Sequence, residues 1–178
     1  NGNPDLTFLK STIKSISKYL KKGQTIILES TSYPGTTEEE IYEKVKKKFK
    51  IGTNFFLGFS SERINPGVNE NSIQEIPKVV SGYTKDCLKI ISKFYEKSFN
   101  KIVKSKNIKI AEFSKLLENI YRSINIGFIN EMKILADKMN LDIFEIIDVA
   151  NTKPYGFRRF FPGPGVGGHC IPIDPNYL

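Results

Sequence analysis

A thiol, an imidazole and a carboxylate sit close together near the end of the chain, at His169, Cys170 and Asp174 of the stretch FPGPGVGGHCIPIDPNYL (161–178). A free thiol ionises near pH ~8.5, and the thiolate is the nucleophile. Gly163, Gly165, Gly167 and Gly168 let the backbone approach a ligand and turn N–H groups toward a phosphate or an oxyanion. The plainer alternative makes Cys170 a small buried apolar residue. A loop of glycines and prolines with no apolar period around it favours the nucleophile. Side chains of adjacent residues point apart, which disfavours a Cys–His hydrolytic dyad with His169; that hydrolase is kept as an alternative. Asp174 lies four residues beyond Cys170. If Cys170 opens a helical turn, the two share a face, and the carboxylate can position a water or accept a proton. Asp174-Pro175 is also an ordinary turn pair. Further upstream, KLLEN (115–119) spaces Lys115 and Asn119 one helical turn apart. A cation and an amide donor aimed at one point stabilise a developing alkoxide; the alternative is a solvated helix face.

These groups need a scaffold. Leu6, Leu9, Ile13, Ile16 and Leu20 recur at helical spacing over 5–21, and Gly23 ends that helix. TIILES (25–30) reads as a buried strand, Pro34-Gly35 as a turn, and Thr36-Thr37 before three glutamates as a helix start reaching to about Lys48. NFFLGFSS (54–61), IPKVVSG (76–82) and KIVKSK (101–106) read as strands, with a polar loop after the first and a helix from Thr84 to about Lys97. This order predicts a mostly parallel α/β sheet. From 109 to 139 the apolar period becomes that of one long helix, and 142–150 forms another. The expected boundary lies near residue 108. No G-x-G-x-x-G follows a strand, so if the first part is a dinucleotide-binding fold, its phosphate-binding half is expected upstream.

Composition narrows the class. The chain has 178 residues, 39% of them apolar and 26% charged, ordinary values for a globular protein. No apolar run approaches the ~18 residues of a membrane span. The start is polar, reads as no signal peptide and lacks Met, as expected of a trimmed or internal segment. With two cysteines and one histidine, neither a disulfide framework nor a structural zinc site is expected, and a reducing cytoplasm is. The net charge of +8 raises the alternative of a basic nucleic-acid-binding module, which would ignore Cys170 and weaken steeply with salt. The basic runs are short and suit helix ends, so no nucleic-acid partner is expected.

Taken together, GPGVGGHCIPIDPNYL, ESTSYPGTTEE (29–39), SSERINPG (60–67), IPKVVSG and EFSKLLENIYRSINIGFINE (112–131) resemble the UDP-glucose/GDP-mannose dehydrogenase family of nucleotide-sugar 6-dehydrogenases. NTKPYGFRRFFPGPG (151–165) most resembles the branch acting on UDP-N-acetylglucosamine. The resemblance implies an α/β fold, with the C-terminal half of a Rossmann-like NAD-binding domain over 1–108. An all-helical central, dimerisation domain with a long connecting helix would follow over 109–178. It implies NAD as cofactor, a UDP-sugar substrate, and four-electron oxidation of the sugar C6 alcohol to a uronic acid through a Cys thiohemiacetal and thioester, for polysaccharide precursors. UDP-glucose, UDP-N-acetylgalactosamine, UDP-N-acetylmannosamine and GDP-mannose remain alternatives. Cys170 matches the covalent nucleophile. Lys115 and Asn119 match the pair that holds the C6 oxygen. Asp174 matches the carboxylate organising proton transfer, Thr31 the residue holding a catalytic water, and Glu62 the glutamate of thioester hydrolysis. Ser30, Thr31 and Glu62 are the expected cofactor-side residues. Arg63, Tyr155, Phe157, Arg158, Phe161 and the four glycines of the Cys loop are the expected substrate contacts. One position departs from the pattern: UDP-glucose dehydrogenases carry a second glutamate where this chain has Pro66. Ile120, Ile124, Phe128 and Leu135 on the long helix are the expected homodimer face, with ordinary intrachain core as the alternative.

Overall fold

The computed structural model describes residues 5–63, 73–168 and 171–178. Two compact units divide near Leu116 and Leu117, and each is taken separately.

The first unit contains α1 (Thr7–Ser17), β1 (Thr25–Leu28), a π-helical segment (Thr37–Tyr42) running into the short α2 (Glu43–Val45), β2 (Phe56–Phe59), β3 (Lys78–Gly82), α3 (Lys85–Tyr95) and β4 (Ile102–Lys104). The strands form one sheet in the order β1-β2-β3-β4. β1 pairs with β2 and β3 with β4 in parallel, whereas β2 and β3 run antiparallel. The cause lies in the connections. Helical segments link β1 to β2 and β3 to β4, and a parallel return requires such a crossover. Between β2 and β3 the described residues hold only a 3-10 turn at Ile73–Glu75, so the chain returns antiparallel. Two of the three pairings are parallel, as the expected mostly parallel sheet requires, and one is antiparallel.

Alternation along the strands supplies both layers. Leu28, Leu57, Phe59 and Val79 turn to one face and pack with Ile13 of α1 and Ile41 of the π-helical segment. Val80 turns to the other face and packs with Ile91 and Tyr95 of α3. Helices thus cover both faces. Fully burying a Leu or Phe contributes ~1.5–3 kcal/mol, and Phe55, Leu57 and Phe59 are wholly buried. Thr84 caps α3 as expected, its hydroxyl accepting from the Cys87 N–H at 3.2 Å. The expectation of the C-terminal half of a Rossmann-like domain is corrected: this unit is a Rossmann-type α/β unit with its own two-layered core. Strands alternating with helices look the same in either half of such a fold, so element order carries no information about which half is present.

α4 spans Ile108–Lys138, as its period predicts. Asn140, at φ 54°, ends it in a left-handed turn. The second unit adds α5 (Ile143–Ala150), capped by Asp142 accepting from the Phe144 N–H at 2.8 Å. Ile129 and Ala136 of α4 meet Ile143 and Ile147 of α5, with Met132, Phe157 and Phe160 packed alongside. The chain closes in a 3-10 turn, Asp174–Tyr177. Among the described residues no helix is long and apolar enough to cross a membrane.

Candidate functional site

In the second unit, Asn119 and Asp174 are both about 4% exposed, and the Asn119 Nδ2 donates to the Asp174 carboxylate. Each was expected at the site, but with other partners in view: Asn119 beside Lys115, and Asp174 beside Cys170. Their hydrogen bond fastens the turn that follows Cys170 onto α4. Asp174 opens the 3-10 turn with Pro175 behind it, as the turn reading expects. Cys170 and His169 lie outside the described residues. Gly167 and Gly168, just before them, both have positive φ (64° and 76°). L-residues with side chains rarely adopt that conformation, so the two glycines are required there.

The other expected loop residues divide into packed and open positions. Phe157 packs on the α4–α5 core. Arg158 lines a cavity of about 220 Å³ with Tyr121, Asn125, Phe128, Ile129 and Phe160. Phe161 stacks on Phe144 at 6.3 Å, with the Arg159 guanidinium 5.7 Å from its ring. Tyr155 is 71% exposed. The Gly163 N–H donates to Asn130 Oδ1 at 2.9 Å, and a side chain at Gly165 would meet open space.

In the first unit the residues expected on the cofactor side lie just beyond the carboxyl ends of β1 and β2. In open α/β sheets this is the edge where ligands bind. Glu29, Ser30 and Thr31 follow β1; Ser60, Ser61, Glu62 and Arg63 follow β2. The Ser60 N–H donates to the Leu28 carbonyl at 3.0 Å and its hydroxyl to the Val79 carbonyl at 2.8 Å, holding the two strand ends in line. Thr31 is half-buried and Ser30 exposed. The buried hydroxyls of Ser32 and Ser61 have no hydrogen-bond partner among the described residues. Unpaired buried hydroxyls at a strand edge fit a ligand rich in hydrogen-bonding groups, and NAD is such a ligand. The donor set is compatible with it.

Sequence reasoning missed two carboxylate clusters. The first surrounds Lys78, whose side chain is only 4% exposed. Its Nζ lies 2.9 Å from Glu29 Oε1 and 3.7 Å from Glu62 Oε2. The Tyr95 hydroxyl donates to the same Glu29 oxygen at 2.6 Å. Burial works against the charge of Glu29, but the bonds from Tyr95 and Lys78 outweigh it and hold the carboxyl below its ordinary range. Burial, then the bond to Glu29, pushes the Tyr95 phenol up. The visible signal was a lysine inside the apolar run IPKVVSG. The second cluster centres on Glu112, which is wholly buried. It accepts from the Gly35 N–H (2.6 Å), the Thr37 N–H (2.9 Å) and the Thr37 hydroxyl (2.7 Å). It thereby anchors the second turn of α4 to the turn that follows Thr31. Lys115 lies three residues further along α4, half-exposed. Among the described residues, no three His, Cys, Asp or Glu side chains converge as a metal site would require.

Two family models match the chain in succession. Residues 1–99 match the NAD binding domain of the UDP-glucose/GDP-mannose dehydrogenase family, and residues 109–178 match its central domain. The expectation that only the C-terminal half of the NAD-binding domain is present is overturned by that first match: the chain carries a Rossmann-type NAD-binding domain followed by part of the central domain. It is 42% identical to a UDP-N-acetyl-D-glucosamine 6-dehydrogenase of Pseudomonas aeruginosa, over 98% of this chain and 42% of that protein. It is 38% identical to a UDP-N-acetyl-D-mannosamine dehydrogenase of Methanocaldococcus jannaschii, over 98% of this chain and 39% of that protein. A solved UDP-D-ManNAc dehydrogenase of Pyrococcus horikoshii superposes with a TM-score of 0.92 at 32% identity, covering 99% of this chain and 42% of that one. The chain thus spans about two-fifths of the length of these relatives. With both of its parts matched in order, the chain belongs to the UDP-glucose/GDP-mannose dehydrogenase family, whose members are NAD-dependent oxidoreductases acting on nucleotide sugars.

Proposed function

We propose that the full-length enzyme carrying this chain oxidises the C6 alcohol of UDP-N-acetylglucosamine to the uronic acid, in the cytoplasm, for polysaccharide precursors. The observation that carries this reading is the buried Asn119–Asp174 hydrogen bond, which fastens the segment after Cys170 to the helix bearing Lys115. The choice of sugar rests on NTKPYGFRRFFPGPG and on the name of the Pseudomonas relative; relatives named for N-acetylmannosamine are nearly as similar.

The roles follow from chemistry. NAD, when bound, accepts a hydride, once for each of two oxidations; Ser30, Thr31 and Glu62 stand at the strand edge that would hold it. Lys115 and Asn119 donate to the C6 oxygen and favour its ionised form as the alcohol loses a proton and a hydride. The Cys170 thiolate adds to the resulting aldehyde carbon; the C–S bond forms as the carbonyl π bond opens, and the oxygen takes a proton to give the thiohemiacetal. Loss of a second hydride and a proton leaves a thioester, so the intermediate stays covalent between oxidations. Asp174 orients Asn119 and exchanges the proton. Thr31 holds the water, and Glu62 takes its proton as it attacks the thioester; the C–S bond breaks, releasing uronate and thiolate. Arg63, Tyr155, Phe157, Arg158, Phe161 and the loop glycines contact the nucleotide sugar. We assign residues 1–108 to the NAD-binding domain and 109–178 to the central helical domain. Of the expected homodimer face, Ile124, Phe128 and Leu135 are exposed and Ile120 is half-buried; with exposed Leu117 and Tyr121 this stripe of α4 supplies the face.

The test is to offer the full-length protein NAD with UDP-N-acetylglucosamine, UDP-N-acetylmannosamine, UDP-glucose and GDP-mannose in turn, beside Cys170→Ala. The reading expects NADH fastest from the first sugar and none from the variant. NADH from the Cys170→Ala protein at the wild-type rate, or preference for another sugar, overturns it.

A further inference from the structure

The cluster around Lys78 has no part in the roles just given, yet it touches one of their residues. An ammonium is costly to bury unless it is paired. Lys78 is almost wholly enclosed, with the Tyr95 and Phe99 rings 5.1 and 5.4 Å from its Nζ. Three donors project from that nitrogen. Glu29 takes one at 2.9 Å, and Glu62 Oε2 faces it at 3.7 Å. The other Glu62 oxygen, Oε1, accepts from the Arg63 N–H at 2.6 Å. The Arg63 guanidinium in turn donates to the carbonyl of Pro77, the residue before Lys78, at 3.2 Å. Both oxygens of Glu62 are thus addressed, one by its own chain and one by the start of β3. Lys78 thus sets one cation against both the Glu29 and the Glu62 carboxylates.

We infer that Lys78 is a positioning residue for Glu62, setting the orientation from which that carboxylate takes a proton from the hydrolytic water. The inference rests on the hydrolytic role proposed for Glu62. In that step water oxygen attacks the thioester carbon, its proton passes to Glu62, and the Cys170 thiolate leaves, with no redox change. Lys78 touches neither water nor thioester. Its loss slows hydrolysis while leaving both oxidations in place.

The experiment is pre-steady-state NADH formation by the full-length enzyme with NAD and UDP-N-acetylglucosamine, with intact-mass measurement of the Cys170 adduct. Lys78→Met is expected to keep a burst of two NADH per site and then to turn over about 10-fold or more slowly, with the thioester adduct accumulating; a positioned base contributes ~10²–10⁴-fold. Lys78→Arg, which keeps a cation beside the same carboxylates, is expected to recover most of the rate. The retained burst separates this outcome from misfolding, which lowers burst and turnover together. Glu62→Gln is run alongside. If Glu62→Gln stalls with adduct while Lys78→Met and Lys78→Arg turn over like wild type, the inference is overturned. Wild-type turnover by Glu62→Gln overturns the reading beneath it.

Discussion

Removing the Glu112 carboxylate provides the sharpest structural test of how α4 is held. Glu112 is wholly buried and accepts three hydrogen bonds, from two backbone N–H groups and one hydroxyl. In Glu112→Gln one oxygen remains, but an NH₂ now faces a donor. That leaves at least one of the three without an acceptor, at ~1–3 kcal/mol, besides the loss of a charge-assisted bond. We therefore expect about 3 kcal/mol of lost local stability, or about 100-fold faster exchange at ~1.4 kcal/mol per tenfold. The readout is amide hydrogen exchange by mass spectrometry on the peptide covering 33–42, under conditions where exchange reports the opening equilibrium. Glu112→Ala, which strips all three acceptor contacts, should exchange faster still, and peptides from α5 should be unchanged. Wild-type protection over 33–42 in Glu112→Gln would refute the reasoning, because those N–H groups would then have another acceptor.

Three further outcomes follow from the same geometry. Asn119→Asp should impair turnover more than Asn119→Ala, since it sets a second carboxylate against buried Asp174 where the alanine only removes a donor; equal rates would contradict this. Glu29 has a folded-state pKa held below its ordinary value of 4.5, so its share of stability is present above that value and is lost as pH falls through the lower, folded one. Thermal melts of Glu29→Gln should consequently lose less stability between pH 5 and 3 than wild type, the net of about one ionisation; parallel curves would sink the claim. At Gly82 a Cβ would stand 2.1 Å from the Leu88 backbone nitrogen, which is backbone that cannot yield cheaply. Gly82→Ala should cost ~1–3 kcal/mol by pushing α3 off β3, measured by urea denaturation; a neutral substitution would show that α3 moves freely.

Much of the scaffold was legible because it is written in local periodicity. The 3-4 spacing over 109–139 marks α4, which runs Ile108–Lys138, and Thr84 announces the α3 cap. What escaped depends on residues far apart in sequence. Thr36 and Thr37 looked like a self-contained N-terminal cap. Instead Thr36 donates to the Tyr33 carbonyl at 2.7 Å, and Thr37 gives both its N–H and its hydroxyl to Glu112. The helix that follows is wound as a π-segment over TEEEIY, a departure that propensity does not encode. The antiparallel β2–β3 pairing is not encoded in strand patterns, which register neither direction nor partner. Within the site, the helical spacing of Lys115 and Asn119 was readable. The bond from Asn119 to Asp174 was not, since it joins positions 55 residues apart. Lys78 was passed over because a lysine in a strand reads as a solvent-facing position, whereas here two carboxylates and two aromatic rings enclose it.

The measurement that bears most directly on the proposed chemistry is the ratio of NADH to uronic acid formed by the purified full-length enzyme from a limiting amount of UDP-N-acetylglucosamine. A thiol that holds the intermediate between two hydride transfers predicts two NADH for every uronate, with no free aldehyde. One NADH per sugar with release of the aldehyde would contradict the account, because Cys170 would then not carry the intermediate to the second oxidation.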